Sequence, residues 1–351
     1  MIKNENISIE TQIDDDEWLA FIQKCPQKEI FQTPYMRNVF NKTKNHKSFS
    51  FFARDNNDEI VGSLLAYTVR DKVPLSFFSR RAIVEGGPIF LNNEKGKLAA
   101  KLLIDNFSKE MKKHAILAEV RYHRPTTNID FCFQDIKYNY IEYENILIDL
   151  IGGEDAIWKG FHRRKKSKVK QAAKRGVICR RVESESEMKV VYSIVQETHN
   201  RVKMPLADES LFTAIFHELT PQNLAYPLLT ELKGEIIGGI VPLLFEKVIF
   251  GWYMAGLREY SNHYHQNDLI VWELLKWGSK NNYNVFDFGD AGDPNKPSGL
   301  RDFKMRFGGK RVKYNIYQRI LRPYYFKISK TGYKIWSKYY KGLRRTITLD
   351  N

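Results

Sequence analysis

The region near residue 300 contains side chains that can accept a proton and one that can stabilise a negative charge. Asp287 and Asp290 end an apolar segment, and Lys304 lies in the run Gly299-Leu-Arg-Asp-Phe-Lys304-Met-Arg-Phe-Gly-Gly309. A carboxylate can act as general base, and a lysine can stabilise an oxyanion or bind phosphate. The stretch therefore predicts one face of a catalytic cleft. The alternative is a solvated loop in which Lys304 forms a salt bridge with Asp302 or Asp290.

A helix and a strand precede these residues and would position them. Leu269, Trp272 and Leu275 recur at helical spacing, and Gly278 stops the run. The segment 285–288 then has the composition of a short buried strand. The carboxylates would therefore stand where this strand leaves the sheet.

A second segment with chemical potential is strongly basic. Residues 159–181 hold eleven Lys/Arg and no acid, and residues 303–349 hold fourteen and no acid. The rest of the chain contains the other 31 basic residues together with all 41 acidic residues, so the excess positive charge is concentrated in two places. Such a surface attracts phosphates of nucleotides, RNA or anionic lipids.

The first basic segment has the pattern of a helix over 163–175 that ends at Gly176. One face is expected to carry the small apolar residues Val169, Ala172 and Ala173. The opposite face carries Arg163, Lys170 and Lys174, which we expect to bind phosphate groups of a substrate. A solvated lysine face is the alternative.

These motifs resemble those of FemAB-like transferases in the GNAT superfamily of acyltransferases. The carboxy-terminal match is Asp287-Phe-Gly289 followed by Gly-Leu-x-x-Phe-Lys-x-x-Phe-Gly-Gly, and the second match is the basic helix ending in Gly176-Val177. A shorter match is Phe31-Gln-Thr-Pro-Tyr35. The resemblance covers most of the chain.

The resemblance implies an α/β fold with mixed sheets, built from two tandem GNAT-like domains. A weak internal repeat agrees with it, since Glu59-Ile-Val-Gly recurs as Glu235-Ile-Ile-Gly. We expect the first domain at 1–150, the second domain with the active site at 151–320, and a carboxy-terminal basic and aromatic helix within 321–351. That amphipathic helix, over Pro323–Arg345, is expected to pack on the first domain or to touch an anionic membrane surface.

The resemblance also implies an activated acyl donor and no tightly bound cofactor. The strand 236–245 is expected to bulge or to lie at a sheet edge because of Gly238, Gly239 and Pro242, and its freed backbone would hold the donor. The following loop, 255–267, has no Gly-x-Gly turn to grip a pyrophosphate. This absence favours aminoacyl-tRNA as donor, with acyl-CoA as the alternative.

The predicted activity is therefore acyl or aminoacyl transfer to an amine, which forms an amide. Asp287 or Asp290 would accept the amine proton, and Lys304 would stabilise the oxyanion. Further expected substrate contacts are Arg37, Tyr253, Arg301 and Arg306. The acceptor would be a phosphorylated or lipid-linked cell-envelope precursor, either a peptidoglycan intermediate or an amino sugar of a surface polysaccharide.

Two alternatives stay open at this point. One is a CoA-dependent N-acyltransferase that acts on a nucleotide-linked amino sugar. The other is a non-catalytic RNA- or lipid-binding protein on a transferase scaffold. Tight, salt-sensitive RNA binding without turnover would indicate the second.

Composition limits the classes of protein. The chain is 43% hydrophobic and 13% aromatic, which excludes general disorder. No apolar run has transmembrane length, the amino terminus lacks a signal-peptide pattern, and three scattered cysteines indicate no disulfide framework. We therefore expect a cytoplasmic protein, with the inner membrane face as a place of peripheral attachment. His263 and His265 lack a third ligand at recognisable spacing, so no metal site is expected.

Overall fold

The computed structural model describes residues 7–70, 80–125 and 129–327. Within these ranges the chain forms ten α-helices and thirteen β-strands. The helices are α1 (Asp15–Lys24), α2 (Pro34–Lys42), α3 (Glu94–Met111), α4 (Gly153–Gly160), α5 (Arg163–Lys174), α6 (Glu185–Val202), α7 (Glu209–Glu218), α8 (Arg258–Tyr264), α9 (Gln266–Lys280) and α10 (Gly299–Met305). The strands are β1 (Ser8–Glu10), β2 (His46–Arg54), β3 (Ile60–Val69), β4 (Arg81–Glu85), β5 (Ile89–Phe90), β6 (Leu117–Arg121), β7 (Asn139–Asp149), β8 (Ile178–Arg181), β9 (Leu228–Leu232), β10 (Glu235–Phe245), β11 (Val248–Gly256), β12 (Val285–Gly292) and β13 (Lys310–Ile320).

The strands form one mixed sheet in the order β1-β2-β3-β4-β6-β13-β7-β12-β11-β10-β9-β8, and β5 pairs with β3. Each half contains an antiparallel hairpin, a further strand, a long helix and a strand parallel to the one before that helix. In the first half these are β2–β3, β4, α3 and β6, and in the second they are β9–β10, β11, α9 and β12. The predicted mixed α/β fold with two tandem units of the same element order is confirmed.

The two halves exchange strands across the middle of the sheet. The strand β13, the last of the described strands, pairs with β6 of the first half and with β7. The strand β7, which precedes residue 150, pairs with β12 of the second half. The boundary near 150–155 stays a prediction, since the sheet runs through it.

Local signals in the sequence correctly predicted several helix ends. Thr33 caps α2 by accepting a hydrogen bond from the Met36 amide at 3.3 Å, and Pro34 occupies the first helical position. Gly176 follows α5 with φ +82°, as expected for a helix-terminating glycine. Of the helix predicted over 323–345, residues 323–327 are helical, and the rest lies outside the described residues.

Three clusters of buried apolar side chains fill the space between sheet and helices. One packs α3 against the first half of the sheet, and a second packs α4, α5 and α9 against the second half. The third joins the halves, because it holds Trp18 and Phe40 of the first together with Val191, Phe212 and Phe250 of the second. Burial of this shared cluster fixes the position of the two halves relative to each other.

The motif 31–35 closes a gap between two strands of the first half. The Gln32 side chain, fully buried, donates to the carbonyls of Leu65 on β3 and Glu85 on β4 at 3.0 and 2.7 Å. Its Oε1 accepts from the Leu65 amide at 2.6 Å. The Gln32 amide group thus substitutes for a missing strand where β3 and β4 separate, which explains the glutamine of this motif.

Replacing this amide should destabilise the protein. Gln32→Leu leaves the Leu65 and Glu85 backbone groups without partners, so we expect a loss of about 2–3 kcal/mol in the free energy of unfolding. Urea denaturation measures it, with Gln171→Leu on the half-exposed side of α5 as control. Equal stability of the two variants would contradict this bridging role.

Candidate functional site

The site is built where two parallel strands of the second half separate. Strands β11 and β12 pair at Val248–Val285, Ile249–Phe286 and Phe250–Asp287. Beyond Asp287, β12 bulges twice and pairs with β7, whereas β11 keeps only β10 as a neighbour. The edge of β11 that faces β12 beyond Phe250 therefore has no strand partner in the described chain.

The sequence analysis assigned this opening to β10, whereas the structure has it beside the next strand, β11. The strand β10 does bulge, next to Gly238 and next to Pro242, as expected. The bulge is thus confirmed, whereas the alternative, an edge position, does not apply, because β10 is paired with β9 on one side and β11 on the other. Among the described residues, the central strand that loses a partner is β11, beyond Phe250.

The structure shows that close packing requires glycine at positions 238 and 239, which the sequence did not reveal. A Cβ on Gly239 would lie 2.6 Å from Val191 of α6, and one on Gly238 would lie 2.7 Å from the Thr230 hydroxyl. Both glycines therefore allow close approach of neighbouring elements. Their contact with an acyl donor stays a prediction.

Asp287 is a fully buried carboxylate at the point of separation. Its Oδ1 accepts from Asn145 Nδ2 at 2.7 Å and from the Gly289 amide at 2.8 Å. Its Oδ2 is buried and has no partner among the described residues. Burial raises the pKa of Asp287, against the opposing effect of these two donors. A carboxylate with a raised pKa and one free oxygen is suited to accept a proton.

Asn145 is a site residue that the sequence analysis missed. It is fully buried on β7, and its Oδ1 accepts from the Ile146 amide, which fixes the orientation of its side chain. Its Nδ2 then donates to both Asp287 and the His123 carbonyl. It thereby links the carboxylate to the first half, and as one of several polar residues in β7 it gave no signal of this.

Lys304 is buried on α10 rather than placed in a loop, contrary to the sequence analysis. Its ammonium donates to the carbonyls of Phe288 and Asp290 at 2.7 and 2.6 Å, and to that of Gly289 at 3.3 Å. Burial lowers its pKa to about 8, although Asp290 and Asp287 oppose the shift. Since an ammonium has three donors, none is left for an oxyanion in this arrangement. Lys304 holds the bulged end of β12, and the salt bridge considered as its alternative is replaced by these carbonyls.

Asp290 differs from Asp287 in its surroundings. Its side chain is exposed, and its Oδ1 accepts from the Gly292 amide at 2.7 Å. Burial together with a hydrogen bond to Asp290 raises the pKa of Tyr314 on β13. Of the two predicted bases, only Asp287 combines burial with an unpartnered oxygen.

A buried ionic network faces this strand end from the first half. Glu85, at the end of β4, contacts Arg121 Nη1 at 3.1 Å and His123 Nε2 at 3.0 Å, and accepts from the Tyr67 hydroxyl at 3.0 Å. Burial opposes ionisation of Glu85, but Arg121 and His123 outweigh it and lower its pKa to about 2. Burial would lower the pKa of His123, yet contact with Glu85 outweighs it and raises that pKa.

Among the remaining predicted substrate contacts, Tyr253 lies at the junction of the halves. Burial, followed by the charge of Glu85, raises its pKa. Arg37 instead pairs with Asp15 of α1 through two hydrogen bonds of 2.8 Å. Arg301 is buried and binds Glu144 of β7 at 2.6 Å. Both arginines are engaged in contacts within the protein, so the structure gives no support to their predicted substrate contacts.

The basic helix α5 presents Arg163, Lys170 and Lys174 to solvent, as expected. Arg306 is exposed too, and its carbonyl accepts from the His162 amide at 2.9 Å, so α10 and α5 adjoin. Ala173, predicted on the packed face, is exposed.

Lys165 takes the place expected for Ala173 on the packed face of α5. Its Nζ lies 2.5 Å from Asp268 of α9 and 3.4 Å from the centre of the Phe303 ring. Burial lowers its pKa to about 8, opposed by Asp268. The spacing of Lys165 with Val169 and Ala172 was the signal that could have revealed it.

The loop after β11 offers no glycine-rich cradle for a pyrophosphate. It forms the short helix α8, and the space beside Gly256 is taken by the side chains of Gln266 and Asn267, since a Cβ there would lie 2.5 Å from Asn267 Oδ1. The first turn of α9 already carries Asp268, paired with Lys165. An acidic side chain thus occupies the helix end that would otherwise attract phosphate.

The described residues contain neither a metal-binding cluster nor a helix that could span a membrane. Across 7–70, 80–125 and 129–327 no group of three His, Cys, Asp or Glu side chains is arranged to hold a metal ion. No helix in the same ranges has the length and apolar character needed to cross a membrane.

Comparison with known proteins agrees with this architecture. Residues 159–304 match the family model of the acetyltransferase (GNAT) domain. No curated protein matches the sequence significantly.

Three solved structures are similar over nearly the whole chain. FemX is 16% identical with a TM-score of 0.67, covering 92% of this chain and 100% of its own. A tandem GNAT protein from the clavulanic acid biosynthesis pathway is 11% identical with a TM-score of 0.61, covering 90% and 99%. L-PGS from Bacillus licheniformis is 14% identical with a TM-score of 0.56, covering 92% and 98%. The expected resemblance to FemAB-like proteins within the GNAT superfamily is confirmed, and at these identities it describes the fold.

The first prediction from this geometry concerns Lys304. Lys304→Met removes the ammonium that binds three β12 carbonyls, so we expect the free energy of unfolding to fall by about 2–4 kcal/mol. Chemical denaturation measures the loss, and Lys310→Met, on an exposed side chain, should change stability by less than about 0.5 kcal/mol. A Lys304→Met variant as stable as wild type would show that the ammonium does not hold the strand.

The second concerns the stability profile with pH. Glu85 has a pKa of about 2 when folded against 4.5 when unfolded, so lowering the pH through this window favours the unfolded state. Wild type should exceed Glu85→Gln by about 3 kcal/mol above pH 4.5, and the gap should shrink toward pH 2. Urea unfolding at several pH values measures the gap, with the exposed Glu259→Gln as control. A gap that does not change with pH would argue against an ionised Glu85.

Proposed function

We propose that this protein is a FemAB-like acyl or aminoacyl transferase that forms an amide on an amine of a cell-envelope precursor. The observation that carries the proposal is the opening between β11 and β12, bordered by the buried Asp287, inside the segment that matches a GNAT domain. Acyl transfer needs a donor for the oxyanion, a proton acceptor and a fixed geometry. Groups at this opening can supply all three.

The oxyanion would be stabilised by backbone N–H groups on the free edge of β11 beyond Phe250. Because that edge has no strand partner in the described chain, these groups are available to a ligand. Lys304 contributes indirectly, by fixing the carbonyls of the opposite strand end. It is a positioning residue in this mechanism.

The chemical step is nucleophilic acyl substitution. The amine lone pair attacks the acyl carbon, a C–N bond forms, and the bond from that carbon to the leaving oxygen or sulfur breaks. The proton lost from nitrogen goes to Asp287 Oδ2, and Asp287 then returns it to the leaving oxygen or sulfur. The raised pKa of Asp287 makes it a stronger base than an exposed carboxylate.

The nature of the acyl donor is part of the proposal. The occupied space at Gly256 and the Asp268–Lys165 pair at the start of α9 argue against a pyrophosphate grip there. The exposed bases of α5 together with Arg306 offer a surface for phosphates of a donor or of a phosphorylated acceptor. These features favour aminoacyl-tRNA, while the match to a GNAT domain keeps acyl-CoA as the second donor to test.

The structural neighbours support the envelope-precursor acceptor only by analogy of fold. A cytoplasmic location, with attachment to the inner membrane face through residues 323–345, completes the proposal.

Transfer assays test the function directly. Full-length protein would be incubated with labelled glycyl-tRNA or labelled acetyl-CoA, and with a peptidoglycan nucleotide pentapeptide or a nucleotide-linked amino sugar as acceptor. We expect label in an amide product from one donor, and a fall in kcat of about 10²–10⁴-fold in Asp287→Asn. Asp293→Asn, at a half-exposed loop carboxylate paired with Lys296, should retain wild-type kcat.

Two outcomes would contradict the proposal. Absence of transfer from every donor, together with tight salt-sensitive RNA binding, would indicate a binding protein on a transferase scaffold. Transfer that proceeds at wild-type rate in Asp287→Asn would remove Asp287 from the mechanism.

A further inference from the structure

A small cavity lies between the two halves, beside the carboxylate of Asp287. Glu29, His123, Arg124, Phe250 and Asp287 are among the residues that line it. Its volume is about 10 Å³, which suffices for one group of the size of a water molecule. The cavity therefore has room for a single small polar group, such as the nitrogen of a primary amine.

The cavity contains one carboxylate oxygen without a hydrogen-bond donor. Arg124 is paired with Glu29 at 2.8 Å, and His123 is paired with Glu85 at 3.0 Å. Asp287 has no ionic partner in the described chain, and its buried Oδ2 accepts no hydrogen bond there. An ionised carboxylate oxygen in such a place is costly unless a donor reaches it.

The donor that fits best is a primary amine. An amino or ammonium group is close to water in size, and a positive charge would compensate that of Asp287. The ring of Phe250, which lines the cavity, can also attract a cation. A trapped water could donate to Oδ2 but would leave the charge uncompensated.

We propose that this cavity is the pocket for the amino group of the acceptor, with Asp287 Oδ2 as its hydrogen-bond acceptor. The inference rests on the proposed function, because it places the nucleophile of that reaction. Phe250 and Asp287 form the last pair before β11 and β12 separate, so the amine would stand directly at the opening for the acyl group. Because the cavity has room for one group only, secondary and tertiary amines would be excluded.

Titration with simple amines tests the pocket without any turnover. The Gly289 amide donates to Asp287 Oδ1 and is therefore a local reporter of this carboxylate. We expect methylammonium chloride to shift the Gly289 amide resonance of the full-length protein in a saturable manner. Tetramethylammonium chloride, which has no N–H donor and is too large, should cause no more shift than sodium chloride.

Variants connect the shift to Asp287. Asp287→Asn retains the size of the side chain, and its half-saturation concentration for methylammonium should rise at least about tenfold. Asp293→Asn should leave it unchanged. Equal shifts by methylammonium and sodium, or unaltered half-saturation in Asp287→Asn, would overturn the inference and leave a water site. If Asp287→Asn does not fold, the comparison of the two ammonium salts on wild type decides alone.

The same preparation separates this inference from the proposed function. Methylammonium binding at Asp287 without transfer from any labelled donor would support the pocket and refute the transferase. Transfer by a protein whose Gly289 amide does not respond to methylammonium would support the transferase and refute the pocket.

Discussion

The hydrogen-bonded ladder of β13 is the constraint on which the rest of the structure depends. Residues 310–320 pair on one side with β6 and on the other with β7, so the final strand joins the two halves into one sheet. Without it, the first half would end at the open edge of β6, and β7, which pairs with β12, would have no strand linking it to β6. The distance between the Glu85 network and Asp287 is therefore set by backbone pairing, with the apolar cluster shared by both halves as a second fixed contact.

Within that frame, the site is held by polar groups that bridge elements far apart in sequence. Lys304 satisfies the carbonyls of the bulged end of β12, and Asn145 holds one oxygen of Asp287 while bonding the His123 carbonyl. Each bridge replaces a strand ladder that is interrupted there. Where ordinary pairing stops, the backbone is free for a ligand, and the bridging side chains stabilise it in that state.

Sequence patterns predicted the elements well because helix periodicity, caps and turn residues are local signals. The helix over 163–175, the cap at Thr33 and the repeated hairpin-strand-helix unit all depend on neighbours within a few residues. The burial of Lys165 and of Lys304 depends instead on distant residues, Asp268 for the first and the β12 carbonyls for the second. From sequence alone a charged residue is expected to be exposed, because its partner is not known. Lys165 was therefore overlooked, and the burial of Lys304 was not expected.

The free strand edge was misplaced for a similar reason. Gly238, Gly239 and Pro242 correctly predicted a bulge in β10, yet only the pairing of β12 with β7 shows which neighbouring strand loses its partner. Composition identifies an irregular strand, whereas topology decides which edge is open. The resemblance to a known family predicted the fold class but not which strand edge is open.

The late position of β13 in the sequence leaves the edge of β6 unpaired during synthesis of the chain. About 190 residues separate Arg121, at the end of β6, from Lys310, so β6 leaves the ribosome long before its partner exists. At typical elongation rates of about 5–20 residues per second, this edge stays open for roughly 10–40 s. A nascent chain with an unpaired apolar strand is prone to aggregate, and a holdase that covers the β6 edge during translation would raise the yield of folded protein.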